Sequence, residues 1–179
     1  MLTVRSYLKR PRKEIQQELN LDNDVPSYLI YLQHPEICYI PIEHEAARRL
    51  IKPQDKFFSG AITLHDGDAM FFGFETAEFE IWRTFITALL QWQSDGQAEV
   101  HFTDSPYRMI WTPVGTDQIE FVLMYPKRYL ILKRFPCSEF FTTVVDGLIF
   151  FFEKVIEYGN EVERNHRTVQ FLREIRETL

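Results

Sequence analysis

With 179 residues, 45% of them hydrophobic and 15% aromatic, the chain can bury a large, ring-rich core without covalent staples. Its formal net charge of −6 argues against non-specific binding to nucleic acid or anionic membrane, which needs basic patches. The two cysteines, Cys38 and Cys137, lie too far apart in sequence for a disulfide framework or a metal knuckle, so a reducing cytoplasm is the expected compartment.

The segment MLTVRSYLKRPRKE is basic but has no apolar stretch behind it, so it does not read as a secretory signal. The longest apolar run, residues 144–152, is broken by Asp146 and is too short to span a bilayer.

In chain order, residues 11–21 read as a short helix with Pro11 at its start. Residues 25–32 and 37–42, rich in Tyr and Ile, read as extended. Residues 43–52 are good helix formers stopped by Pro53. Residues 1–55 thus form an N-terminal α/β segment.

From Gly60 the pattern sharpens. Residues 61–64 and 69–74 flank His65-Asp66-Gly67-Asp68, and Asp-Gly between apolar runs predicts a hairpin. Thr76 is the expected N-cap of a helix whose stripe is Phe79, Trp82, Phe85, Ile86, Leu89 and Leu90, ending near Gly96. Four short alternating strands follow, over 97–103, 107–113, 118–124 and 128–135. Turns at Asp104-Ser105-Pro106, Gly115-Thr116-Asp117 and Pro126-Lys127 join them into an antiparallel meander. Counting alternation in the last strand puts Leu130 and Leu132 on the core face. Ile110, Val122, Tyr129 and Ile131 then share the second face with Glu99, His101, Arg108, Glu120 and Lys133. That face is too apolar for a free solvent surface, so residues 1–55 or a partner should cover it.

The last third is helical. Phe141, Val144, Val145, Leu148, Phe152, Val155 and Ile156 form a stripe behind Ser138. Phe150 and Phe151 widen it, so this helix should be covered on more than one side. Gly159 closes it, and residues 161–179 form a charged helix with a thin apolar stripe. The expectation is one α+β domain over 1–179: an antiparallel meander sheet with amphipathic helices packed on it, ordered ββ-α-ββββ-α-α from residue 60.

Motifs for chemistry are sparse. His44-Glu45 starts like a zinc-protease helix, but Arg48 stands where the second His belongs. His65, Asp66 and Asp68 carry donor atoms that suit a divalent cation, yet a tight turn explains the same residues, and no metal is expected. His101 with Glu99 or Asp104 is a possible acid–base pair with no nucleophile beside it. Cys137 begins a helix, where a dipole can stabilise a thiolate. Lys9, Arg10, Arg12 and Lys13 read as a solvated end. No phosphate loop or dinucleotide fingerprint is present, and no cofactor is expected.

A meander such as VHFTDSPYRMIWTPVGTDQIEFVLMY, followed by the helix FPCSEFFTTVVDGLIFFFEKV, resembles the small acidic α+β immunity proteins of bacterial polymorphic and contact-dependent toxin systems. The resemblance implies a cytoplasmic binder that occludes a toxin's active site and has no catalysis of its own. On that reading the partner is a basic toxin domain, with Glu99, His101, Asp104, Asp117 and Glu120 at the binding surface. The competing reading is a small-ligand binder or enzyme with a pocket between sheet and helices, built on His101 or His65 with nearby carboxylates.

Overall fold

The computed structural model describes residues 1–22 and 24–179. The elements in chain order are β1 (Leu2–Lys9), α1 (Arg12–Leu19), α2 (Ser27–Gln33), α3 (Pro35–Cys38) and β2 (Tyr39–Pro41). Then come β3 (Ser59–Asp66), β4 (Ala69–Phe72), β5 (Glu78–Phe79) and α4 (Ile81–Asp95). The meander follows as β6 (Ala98–His101), β7 (Arg108–Val114), β8 (Gln118–Tyr125) and β9 (Arg128–Pro136), and α5 (Cys137–Glu157) and α6 (Glu163–Thr178) close the fold. The fold is α+β with antiparallel sheets, as the alternation and helical stripes imply.

There are two sheets, however, not one. The hairpin β3–β4 does not join the meander. It pairs with β1, in a five-stranded sheet ordered β2-β1-β3-β4 with β5 also on β3. The meander stands alone as a four-stranded sheet, β6-β7-β8-β9. Residues 1–55 therefore do not cover the meander, because β1 is an interior strand of the first sheet.

One apolar cluster runs between the sheets and binds α4, α5 and α6 to them. Phe72, Phe85, Phe121, Trp111 and Phe140 meet edge to face or tilted within it. Helix α5 lies close on β1 because Gly147 faces Val4: a Cβ there would sit 2.6 Å from Val4 Cγ1. The opposite face of the first sheet is covered by α1, α2 and α3 through a smaller cluster of Ile15, Ile30, Cys38, Tyr39 and Ala61. As its double-width stripe requires, α5 is buried on more than one side, although Phe150 stays exposed.

Several local expectations change. Residues 27–32 are helical rather than extended, in α2 behind Pro26, and Pro35 opens α3. Residues 37–42 are extended only from Tyr39. The expected helix over 43–52 is a 3₁₀ segment, Glu45–Leu50. Thr76 is not a helix cap: its hydroxyl donates to the Gly73 carbonyl in a 3₁₀ turn. Helix α4 starts instead at Ile81, after Glu80 in the left-handed region (φ 67°). Phe79 therefore lies in β5 and is 46% exposed, and Leu90 faces solvent. Trp82, Phe85 and Leu89 are buried as expected. No helix among the described residues is long and apolar enough to cross a membrane.

Candidate functional site

The inner face of the meander is sealed by rings. Met109, Trp111, Ile119, Phe121, Leu123 and Phe135 point into the core, against Phe71 of β4, Phe85 of α4 and Phe140 of α5. These side chains fill the core between the meander and the helices, and an open cleft remains along the β6 edge, where Glu80, Arg83 and Thr87 of the α4 region face Glu99 and His101. His65 and His101, the imidazoles of the pocket reading, lie on different sheets.

The outer face is open, and strand register orders it into rows. One row is His101, Arg108, Met124 and Tyr129. The next is Glu99, Ile110, Val122 and Leu132. The third is Thr112, Glu120 and Arg134. The centre of the face is therefore apolar. Val122 is only 5% exposed, shielded by larger neighbours, while Leu132 is 54% and Tyr129 67% exposed. This corrects the parity of β9. A register shift between Leu123 and Met124 marks a bulge. Beyond it Ile131, Lys133 and Phe135 turn inward, and Leu132 and Arg134 turn outward.

The expected binding residues divide between the face and the ends of the sheet. Glu99, His101 and Glu120 share the outer face. Asp104 lies in the loop after β6, where its Oδ2 accepts from the Phe79 amide at 3.0 Å. Asp117 lies in the β7–β8 turn, at the far end of β7, about 20 Å away at the rise of an extended strand. Its carbonyl accepts from the Cys137 amide at 2.7 Å.

The carboxylates on the face are already paired. Arg108 Nη1 donates to Glu99 Oε1 at 2.8 Å, and Arg134 Nε to Glu120 Oε2 at 2.9 Å. His101 Nε2 lies 3.8 Å from the same Glu99 oxygen. Residues 97–136 hold four acidic and five basic side chains, a balance of +1 that leaves −7 on the rest of the chain. The acidity expected to face a basic partner is therefore not on this sheet.

The other candidates are accounted for locally. His65 Nε2 lies 3.0 Å from Thr63 Oγ1, and burial, helped by Arg5, lowers its pKa. Asp66 faces Lys133 at 3.6 Å, and Gly67 takes φ 60° in the turn. No group of three or more His, Cys, Asp or Glu side chains among the described residues is placed to hold a metal ion. Burial, with Asp117 nearby, raises the Cys137 thiol, so the helix start does not activate it. Cys38 is pushed up to about 11, mainly by burial.

Sequence reasoning misses Glu78, because a glutamate reads as surface. It is buried, and its Oε1 accepts from Thr84 Oγ1 at 2.5 Å. Its Oε2 accepts from the Thr103 amide at 2.6 Å and the Asp104 amide at 3.4 Å. Burial raises its pKa, against the pull of those hydrogen bonds. A carboxyl that holds its proton more tightly when folded contributes stability below its unfolded value, and that contribution is lost as pH rises through the folded value. Stability should therefore decline just above pH 4.5, the ordinary value of this group. Melting temperatures across that range should show a shallower decline in Glu78→Gln than in the native chain. Equal slopes would assign the decline to other groups.

No protein-family model, no curated protein and no solved structure matches this chain.

Proposed function

We propose that this chain is a non-catalytic protein-binding module whose partner sits on the outer face of the four-stranded sheet. The observation that carries this reading is the apolar row Ile110–Val122–Leu132 on the outer face, with Leu132 exposed, Ile110 half-buried and Val122 beneath them, within a frame of ion pairs, Glu99–Arg108 and Glu120–Arg134. Apolar anchors inside a polar rim are the usual anatomy of a protein interface. Strands hold this face in fixed register, so little order has to be gained on binding. The specific role is the neutralisation of a toxin, which the resemblance of the meander and of α5 to immunity proteins supports. The −7 on the rest of the chain favours the approach of a cationic protein at long range, while the face itself makes an apolar, charge-balanced contact.

The test is co-expression with the polypeptide encoded beside this gene. The native chain should restore growth and co-purify with that product. Ile110→Arg with Leu132→Arg should lose both effects. Leu132→Arg alone should change stability by no more than about 0.5 kcal/mol, since Leu132 is 54% exposed. Protection that survives the double substitution would remove the face from the function. Failure of the native chain to bind or protect would remove the toxin role.

A further inference from the structure

The two edges of the meander are finished differently. The free side of β6 is blunted: α4 lies along it, and Gln91 Oε1 accepts from the Glu99 amide at 2.9 Å. Glu78 then accepts from the amides of Thr103 and Asp104, just past the end of the strand. The free side of β9 has no such device. Beyond its ladder to β8, no backbone hydrogen bond from β9 to another element is present among the described residues. Its exposed residues include Tyr129, Leu130 and Leu132. An unpaired edge of this kind is a template for another extended chain.

Charge selects the kind of chain. Residues 127–136 contain four basic side chains, Lys127, Arg128, Lys133 and Arg134, and no acidic one. Lys133 is engaged by Asp66 and Arg134 by Glu120. Lys127 and Arg128 are exposed and have no ion pair among the described residues. A second copy would bring the same basic strand against this one, and like charges on paired strands destabilise. An acidic strand meets the opposite condition.

We propose that β9 accepts an extended segment of a partner protein as a fifth strand of this sheet, and that the segment alternates acidic with apolar residues. The bulge before Ile131 and the missing amide hydrogen of Pro136 confine regular pairing to residues 131–135, and acidic residues of the segment beyond that stretch meet Lys127 and Arg128 across the bulge. The inference rests on the protein-binding reading and specifies how the partner is held.

The experiment titrates the full, isotope-labelled chain with two synthetic peptides, one alternating Glu and Val, the other alternating Lys and Val. The Glu–Val peptide should bind and slow solvent exchange of alternate amides within 131–135. Lys127→Glu with Arg128→Glu should weaken it about tenfold without moving the melting temperature, because both side chains are exposed. Equal binding of the Lys–Val peptide, or binding without protection of those amides, overturns the proposal. So does protection in the chain alone with a doubled mass, which gives the edge to a second copy. If the native partner still binds in the way that Ile110→Arg and Leu132→Arg abolish, while the Glu–Val peptide never binds, only the edge proposal falls. If neither binds, both readings fall.

Discussion

Replacing Trp82 with Ala is expected to destabilise the fold by about 3–5 kcal/mol. Trp82 is fully buried and stacks on Phe151 of α5, with ring centroids 3.7 Å apart and planes within 9°. Its Nε1 donates to Ser6 Oγ at 3.0 Å, inside the core. Truncation therefore opens a ring-sized cavity and also leaves the Ser6 hydroxyl, at 3% exposure, without this donor. Urea unfolding followed by far-ultraviolet circular dichroism measures the loss. A change under about 1 kcal/mol would mean that the α4–α5 contact relaxes to fill the space, against the usual behaviour of tryptophan sites.

Gly60→Ala is expected to cost as much as about 3 kcal/mol, although it adds a single methyl group. Gly60 lies in β3 beside β1. A Cβ at this position falls inside the contact distance of the Tyr7 carbonyl oxygen and 2.6 Å from Trp82 Cη2. The first obstacle is backbone in a paired strand, so it cannot be relieved by a rotamer change. Either the β1–β3 ladder opens locally or the indole moves off Phe151. Because one of the two clashes is with Trp82, the penalties of Gly60→Ala and Trp82→Ala should not add. The double variant should be less destabilised than the sum, and strict additivity would show that the Tyr7 carbonyl alone sets the cost.

The meander is the part of the fold that alternation reveals most clearly. In β6, β7 and β8 the inward and outward residues follow the period-2 pattern, so Glu99, His101 and Glu120 fall on one face as expected. In β9 the pattern fails at the bulge, since one extra residue reverses the parity of everything after it. Phe135, buried against Phe71 and Phe140, is the residue whose size points to the correct parity.

The first sheet is harder to read for a different reason. Strand β1 buries Ser6 between apolar Val4 and Leu8, and Ser6 is tolerated there because an indole N–H reaches it from residue 82. A polar residue satisfied from 76 positions away leaves no local signature. The charge of Asp104 and Asp117 suggests a binding rim, but composition marks a turn and not the direction in which its side chains point. Glu78 shows the same limit, for the donors that satisfy its carboxylate come from Thr84 and Thr103.

The interior position of β1 sets a timetable for synthesis. Its ladder partner β3 begins at Ser59, and α5, which covers it, begins at Cys137. The Leu2 amide finally donates to Glu139 Oε1, 137 positions away. At a translation rate of about 5–20 residues per second, β1 waits on the order of 10 s between leaving the ribosome and being covered. During that interval its apolar side, Leu2, Val4 and Leu8, lacks the cover of α5, and the β1–β3–β4 array is held by strand pairing, by α1–α3 on its other face and by Trp82 of α4. The meander, contiguous in sequence and joined by tight turns, has no such wait within its own ladders. Nascent chains stopped before α5 should therefore depend on a chaperone holdase to stay dispersed, and release of α5 should end that dependence.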